Sequence, residues 1–432
     1  MTRPAPSTRL RSLLKQALSF ALALGIWFSP IPAGLTKEAW HLFAIFAAAI
    51  FAVILNSFPL LTASLLAVSA AVLTRTVDPG KAFAGFANAS VLLVVVAFLV
   101  ANAVVKSGLG RRISLFVVSL FGRSTLGLGY SIFLTDAMIA PAFPSNTARG
   151  GVLYPIVLSL AQNSGSMPDQ KNRRMGGYLM FCGMASLSVS SALWLTATSG
   201  NPIAVSLAER YGVKINFGSW IVAASIPILT MIVLLPLMLY RLFPPGVTKT
   251  PDAPKAARDA LRTMGRLTRD DPLVPGQPSH GGTLVTFIWL AVLFALSGQL
   301  NELGFMGYVG ARLTSLLGGI TWPVAYVVLL LLYVLMHYMF VSQSAQILAL
   351  FDVFLGVAVK AGVPAPLMAF ALLFASSYFS TITPQGGSQN VIFVGSGYLT
   401  QVELYRLGFL TTAFCLLVFL VIGTPWLLFV AR

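Results

Sequence analysis

Pro144-Ser145-Asn146-Thr147-Ala148-Arg149-Gly150-Gly151 is a polar stretch that ends in two glycines. It lies between two apolar segments, and each of these is too short to cross a bilayer comfortably. A backbone that turns at membrane depth has to border a polar cavity, because lipid cannot satisfy its free N–H and C=O groups. The sequence therefore predicts a functional site at residues 144–151.

The composition predicts that the surroundings of this stretch are lipid. Of the 432 residues, 57% are hydrophobic and only 9% are charged, which is more apolar surface than one soluble core can bury. The net charge of +16 would suggest nucleic acid for a soluble protein, but here the basic residues lie in loops between apolar runs. We expect no nucleic-acid partner. Cys182 and Cys415 lie in apolar segments without pairing or metal spacing, so no disulfide or redox cofactor is expected.

Runs of about 20 apolar residues predict nine crossings and two re-entrant helical hairpins in an all-α polytopic membrane protein. The hairpins are residues 124–143 with 146–162, and 321–340 with 344–360. Two crossings, 176–208 and 364–399, are over-long and contain Gly, Pro and Thr in the middle, which indicates broken helices. The other predicted crossings are 13–30, 39–57, 59–76, 88–106, 217–243, 282–300 and 407–430.

The basic residues predict a cytoplasmic N-terminus and a periplasmic C-terminus, because this orientation places 19 of the 28 Lys and Arg residues inside. A cleaved signal peptide at the Arg-rich N-terminus is the open alternative. Residues 244–281 are polar, rich in Pro and of mixed charge, and we interpret them as a cytoplasmic linker between two halves.

The two halves of the sequence resemble each other. Ser145-Asn146-Thr147-Ala148 matches Ser342-Gln343-Ser344-Ala345, and Ser107-Gly108-Leu109 matches Leu303-Gly304-Phe305. Thr196-Ala197-Thr198 matches Thr381-Ile382-Thr383, each within an over-long crossing. In the predicted topology the two units start on opposite sides of the membrane, so the repeat is inverted. Inverted repeats with broken helices near the midplane are a transporter architecture.

These motifs resemble the divalent anion/sodium symporter (DASS) superfamily, whose members carry citrate, C4-dicarboxylates, 2-oxoglutarate and sulfate. The resemblance covers nearly the whole chain. It rests on the two hairpin tips and on the broken-helix loops at Ala197–Pro202 and Thr383–Gly387. The strings Pro144–Gly151, Thr250–Gly265, His337–Phe340 and Phe393–Tyr398 look most like its citrate/succinate antiporter and 2-oxoglutarate/malate translocator branch.

The resemblance implies an elevator-type transporter of the inner membrane that forms a homodimer, contacts membrane lipids, and binds small organic dianions or trianions. It implies five segments: scaffold at 1–123, moving domain at 124–243, linker at 244–281, scaffold at 282–319 and moving domain at 320–432. It also implies a sodium site at Ser145, Asn146 and Gly200, with no other metal or cofactor and no catalytic residue. The implied substrate-binding residues are Ser145, Asn146, Thr147, Thr198, Ser342, Gln343, Ser344, Thr383 and Pro384.

This sequence departs from the family pattern in three places. The second tip carries Gln343 where symporters have Asn, which favours exchange over coupling to two sodium ions. The second broken loop, Thr383–Asn390, carries two glutamines, so the substrate preference of related exchangers does not transfer. Between the linker and the predicted crossing at 282–300, two scaffold spans of the second repeat are missing.

Two ionisable residues lie near the first tip. Asp136 is either a coupling group or a hydrogen-bonded partner for a helix end, and Arg149 is expected to play a supporting role. His337 is expected to be a packing residue. A carrier of di- or tricarboxylates, acting as an exchanger, is the leading hypothesis. A sodium-coupled symporter of dicarboxylate or sulfate and a truncated, inactive relative are the alternatives, and no motif for an intramembrane hydrolase is present.

Overall fold

The structure is a computed structural model that describes residues 6–55, 57–170, 172–264, 280–316, 319–338, 340, 343–387 and 389–431. These residues form α-helices with short 3-10 and π turns, and they include no β-strand, in agreement with the predicted all-α class. The helices are α1 Pro6–Trp27, α2 Lys37–Ile54, α3 Leu60–Leu73, α4 Pro79–Ala82, α5 Ala89–Lys106, α6 Leu109–Phe121, α7 Thr125–Ile139, α8 Asn146–Asn163, α9 Arg173–Leu193, α10 Gly200–Ala208, α11 Phe217–Leu242, α12 Ala253–Thr263, α13 His280–Glu302, α14 Phe305–Leu316, α15 Trp322–His337, α16 Gln343–Gln346, α17 Asp352–Lys360, α18 Ala365–Tyr378, α19 Asn390–Val394, α20 Gln401–Val418 and α21 Thr424–Val430.

The outer surface of the described residues is apolar, as expected for a protein in lipid. Leu73 and Phe28 are 81% and 79% exposed, and many other large aliphatic and aromatic side chains face outward. Among the described residues, six helices are long and apolar enough to cross a membrane. This number is smaller than the nine predicted crossings, because several predicted crossings are short helices such as α3 and α18 that do not reach the length of a span.

The structure has helices on both sides of each predicted hairpin tip and interruptions at both predicted breaks, whereas re-entrance of the hairpins into the membrane stays a prediction. Helices α7 and α8 meet at a tip formed by residues 143–145, and α15 is followed by a tip that leads into α16. A π turn at Ile347–Phe351 joins α16 to α17, so residues 343–360 form one continuous helical limb. The first over-long crossing is interrupted between α9 and α10, and the second between α18 and α19. Pro384, Gly386 and Gly387 lie within the second interruption, and Pro202, which lacks the backbone N–H that a continuous helix would use, follows the first.

The two halves share the same order of elements. An amphipathic helix (α6 or α14) is followed by a hairpin, a broken helix and a long final helix. Gly108 and Gly304, which precede α6 and α14, both have left-handed backbone conformations with φ of 68° and 82°. This conformation strongly favours glycine, so the match Ser107–Leu109 to Leu303–Phe305 extends from sequence to backbone geometry. The inverted orientation of the two units stays a prediction.

Helices α1, α2, α3, α5 and α13 pack together on one side of the molecule. Helices α7, α8, α11, α18 and α19 pack around α9, in which every residue from Met175 to Leu193 is buried. A helix that is buried on all sides forms the centre of its unit, and its few polar side chains must find partners inside the protein. The interior of the molecule is therefore where the functional side chains are found.

Candidate functional site

The two hairpin tips are in direct contact. Asn146, the first residue of α8, donates from Nδ2 to Oε1 of Gln343, the first residue of the second limb, at 3.2 Å. Beside this pair, the hydroxyls of Ser199 and Ser344 lie 3.1 Å apart, which joins the first broken loop to the second tip. The structure thus places two predicted site residues of different repeats, 197 positions apart, within hydrogen-bond distance.

Gly200 allows the first broken loop to approach the second hairpin closely. A Cβ atom at this position would lie 2.6 Å from Cδ1 of Ile347 and 3.6 Å from the hydroxyl of Ser344. A Cβ atom here would displace the end of the Ile347 side chain, so glycine leaves this contact undisturbed. Gly200 also begins α10, so the N-terminal end of this nine-residue helix lies against the second tip.

Behind the first tip, Arg149 and Asp136 form an ion pair with no exposed surface. Arg149 Nη1 lies 3.1 Å from Asp136 Oδ1 and 3.2 Å from Oδ2. Arg149 also donates to the hydroxyls of Ser190 and Ser191 and to Oδ1 of Asn146. Ser190 in turn donates to Asp136. A buried ion pair is stable only when further hydrogen bonds complete it, and these side chains supply them.

The second hairpin contains a neutral network with the same register. Gln346 stands three residues after Gln343, as Arg149 stands three residues after Asn146. Gln346 Nε2 donates to the carbonyl of Tyr333 at 3.0 Å, across the same 13-residue separation that joins Arg149 to Asp136. The hydroxyl of Tyr333 lies 2.8 Å from that of Ser376 on α18. Arg149 and Asp136 in the first repeat thus have uncharged counterparts in the second.

His337 connects the second hairpin to the second broken loop. It is buried, one ring nitrogen lies 2.8 Å from the carbonyl oxygen of Gly386, and the other lies 2.5 Å from Oε1 of Gln346. Both ring nitrogens therefore have partners, as expected for a packing residue.

One asparagine closes each helix break. Asn201 Nδ2 donates to the carbonyls of Ser191 and Trp194 at 2.9 and 3.1 Å, which lie ten and seven residues earlier. Asn390 Nδ2 donates to the carbonyls of Ser380 and Thr383, at 2.6 and 2.9 Å, with the same offsets of ten and seven. The end of a half-helix leaves carbonyl groups without partners, and each asparagine satisfies carbonyls at the end of the preceding half-helix or in the loop that follows it.

The remaining predicted binding residues surround this contact. Ser145 accepts from the backbone N–H of Ala148 at 3.3 Å and so caps α8, while Thr147 is exposed. Thr198 is buried and lies next to Ser199. Ser342 lies outside the described residues.

Thr383 and Pro384, in the second broken loop, are half-buried. The carbonyl of Thr383 accepts a hydrogen bond from Asn390. The Thr383 hydroxyl has no partner among the described residues. No described hydrogen bond of Thr383 reaches a hairpin tip, so the second loop is joined to the second hairpin through His337 and Gly386 instead.

Sequence reasoning did not single out Ser190, Ser191, Asn201 or Gln346. A signal was available for the serines, because Ser186, Ser188, Ser190 and Ser191 are closely spaced in an otherwise apolar segment that had to be buried. For Gln346, the available signal was its position in the repeat, three residues after the second tip.

The residues proposed for sodium do not fit a cation well. Sodium needs oxygen ligands that are free to face it, but Asn146 Oδ1 already accepts from Arg149 and lies 2.7 Å from the Ser191 hydroxyl. The guanidinium also places a positive charge beside this oxygen. Ser145 Oγ accepts one hydrogen bond in the helix cap, and Gly200 could contribute only its backbone, so the misfit rests on Asn146.

Together, a helical membrane body, two hairpin tips in contact and two broken helices define a membrane transporter rather than an enzyme. The chain belongs to the sodium:sulfate symporter family: the family model for the sodium:sulfate symporter transmembrane region matches residues 10–274 and 281–431. The predicted membership of the DASS superfamily is thereby confirmed, and the protein is an integral membrane protein.

Named relatives point to organic anions. The chain is 35% identical over 457 aligned positions to YflS of Bacillus subtilis (strain 168), which carries the description of a malate transporter, covering 96% of each chain. It is 29% identical to the citrate/succinate antiporter of Escherichia coli (strain K12), covering 94% of this chain and 96% of the relative. The alignment with YflS is longer than this chain of 432 residues, so the relative carries segments that this chain lacks.

A solved structure supports the fold. The crystal structure of the YdaH transporter of Alcanivorax borkumensis, described as having an unusual topology, superposes with a TM-score of 0.54 over 97% of both chains at 16% sequence identity. At this identity the similarity concerns the fold alone.

Proposed function

We propose that the protein is a secondary active exchanger that moves di- or tricarboxylates such as succinate, malate, 2-oxoglutarate or citrate across the inner membrane. The hydrogen bond from Arg149 to Asn146 Oδ1 carries this proposal, because a fixed guanidinium stands where a coupling cation would need a ligand. The similarity to an antiporter of citrate and succinate, noted above, supports the same choice.

The charge balance of the site suits an anion that must be released again. Arg149 and Asp136 neutralise each other, so the two tips offer an anion amide and hydroxyl groups rather than an unpaired cation. Hydrogen bonds from such groups to a carboxylate are strengthened by its charge. The N-terminal ends of α8 and α10 add a favourable dipole field without fixing the substrate permanently.

For the transport step we propose an elevator motion. The body built from the hairpins, the broken helices and α11 would move against α1, α2, α3, α5 and α13. One contact between these bodies is a hydrogen bond from the Ser297 hydroxyl on α13 to the carbonyl of Leu348 in the π turn, at 2.9 Å. This contact would have to break during transport. A homodimer remains an expectation from the family resemblance.

Exchange can be tested with purified protein in liposomes preloaded with unlabelled succinate or citrate. Labelled dicarboxylate is offered outside, with and without a sodium gradient. We expect uptake that requires internal substrate and is unaffected by sodium. Sodium-driven uptake into empty vesicles would overturn the proposal in favour of symport, and labelled sulfate in the same assay tests the inorganic alternative. A folded sample that shows no uptake under any of these conditions would support the alternative that the protein is a truncated, inactive relative.

The site assignment predicts that Asn146→Ala abolishes exchange without unfolding the protein. The substitution removes the amide that joins the two tips and leaves Gln343 without its donor. Asn163→Ala is a matched control at the opposite end of α8, where the side chain is exposed. Uptake and thermal unfolding are measured for both variants. Retained exchange in Asn146→Ala would rule out the assignment.

A further inference from the structure

The linker between the two halves forms a folded basic surface on helix α6. We define the basic linker surface as the exposed side chains of Arg111, Arg123, Lys249, Lys255, Arg258 and Arg262. Helix α12 is strongly amphipathic and packs against α6 through Pro254 and Ala257. Among the described residues of the linker, the exposed acidic side chains are those of Asp252 and Asp259. The surface is therefore strongly positive.

The linker is fixed to the start of the first hairpin. The backbone N–H of Thr250 donates to the carbonyl of Arg123 at 3.0 Å. The Thr250 hydroxyl donates to the carbonyl of Gly122 at 2.7 Å. Thr125 donates from its backbone N–H to the carbonyl of Thr248 at 3.1 Å. At the other end of α12, Arg112 donates to the carbonyl of Met264 at 2.9 Å. The positive charges are thus held in place by hydrogen bonds at both ends of the segment.

The cations of α12 are grouped on one edge of its exposed face. At about 100° per residue, Lys255, Arg258 and Arg262 fall within an arc of about 60°, and both acidic residues lie outside this arc. None of the three cations forms an ion pair with a described residue. The orientation of a membrane protein depends only on how many basic residues a loop carries, so it does not explain why they are grouped and unpaired.

Helix α6 places this surface at the depth of lipid headgroups. Leu109, Phe116 and Leu120 are exposed at spacings of seven and four residues and form an apolar stripe along α6. This stripe indicates that one edge of α6 lies in the hydrocarbon. Packed helices are about 8–10 Å apart, and the headgroup layer is about 5–8 Å thick on each side of the bilayer. The long side chains on α12 can span the remaining distance.

We propose that the basic linker surface binds the headgroups of anionic phospholipids. Several cations that form no ion pair with a described residue, on an amphipathic helix next to an apolar stripe, match the negative surface of a bilayer. Because the linker is hydrogen-bonded to the joint between α6 and α7, lipid bound there also stabilises the base of the first hairpin.

The test is thermal unfolding of the full-length protein in neutral detergent with added phosphatidylglycerol or phosphatidylcholine. We expect phosphatidylglycerol, and not phosphatidylcholine, to raise the Tm, and high salt to remove the effect. In the variant Lys255→Gln/Arg258→Gln/Arg262→Gln the apparent affinity falls roughly fivefold per charge, about a hundredfold in total. The matched control, elsewhere on the surface, is the variant Lys37→Gln/Lys214→Gln/Lys360→Gln. This control is expected to keep the rise in Tm with phosphatidylglycerol.

Equal responses of the two triple variants would overturn the proposal, as would an equal Tm rise with inorganic phosphate. If the first triple variant does not fold, the single variant Arg262→Gln is used instead. Its apparent affinity for phosphatidylglycerol is expected to fall roughly fivefold. Transport is not measured in this experiment, so its outcome is independent of the proposed exchange activity.

Discussion

The two hairpins have the same register but different chemistry. In the first, Arg149 reaches back 13 residues to the carboxylate of Asp136, and in the second, Gln346 reaches back 13 residues to the backbone carbonyl of Tyr333. The same geometric connection is ionic in one repeat and neutral in the other. The comparison teaches that equivalent positions in a repeat preserve where a bond is made but not which groups make it.

The largest expected loss of stability comes from removing the charge on Arg149, which has no charged counterpart in the second repeat. Arg149→Gln leaves Asp136 buried without a counter-charge, which costs about 3–5 kcal/mol of stability. The double variant Asp136→Asn/Arg149→Gln resembles the neutral second repeat and should recover most of this loss. Thermal unfolding in detergent measures both. A double variant that is no more stable than the single one would show that the pair is not the reason for the loss.

A smaller difference is expected between two serines. Ser190→Ala removes a hydrogen bond to a carboxylate, at about 2–3 kcal/mol, whereas Ser376→Ala removes a neutral bond to Tyr333, at about 1 kcal/mol. The same unfolding measurement compares them, with Ser225→Ala on an exposed part of α11 as the control. Equal losses would argue that the charge in the first repeat contributes little to its hydrogen bonds.

The smallest effect concerns the glycines before α6 and α14. Gly108→Ala and Gly304→Ala each place a side chain at a positive φ, which costs about 1 kcal/mol. Because the two backbones are equivalent, we expect equal losses of stability in chemical denaturation. Gly307→Ala, where an added Cβ meets nothing within 4 Å and φ is ordinary, is the control. Clearly unequal losses would weaken the equivalence of the two repeats.

The sequence was sufficient for the helix breaks and the hairpin tips, because each depends on local groups that cannot be satisfied by lipid. Asn146 and Gln343 were also predicted to share a site, since the repeat assigned them equivalent positions. The partner of Arg149 could not be found in this way. Asp136 was predicted to be either a coupling group or a hydrogen-bonded partner for a helix end, and pairing it with Arg149 requires knowing which faces of α7 and α8 meet α9.

Other features depend on tertiary packing alone. The π turn at Ile347–Phe351 has no sequence signal, and it directs the carbonyl of Leu348 toward Ser297 on a distant helix. The position of α12 on α6 likewise depends on contacts across more than 100 residues. The linker was predicted to be polar and to divide the chain, but not to fold back on the first repeat.

In the proposed site, the hydrogen bond between Asn146 and Gln343 occupies groups that a substrate would need to bind. Any solute that enters between the tips has to replace this bond, which is one between two neutral amides. A neutral solute offers bonds of similar strength and gains little by the replacement. A carboxylate accepts a charge-assisted bond about twice as strong from the Asn146 amide, and Gln343 must turn its N–H groups toward the carboxylate to add a second one. If this site binds the substrate as proposed, contact between the tips favours charged solutes over neutral ones of the same shape, although the described charges beside it, Arg149 and Asp136, are paired with each other.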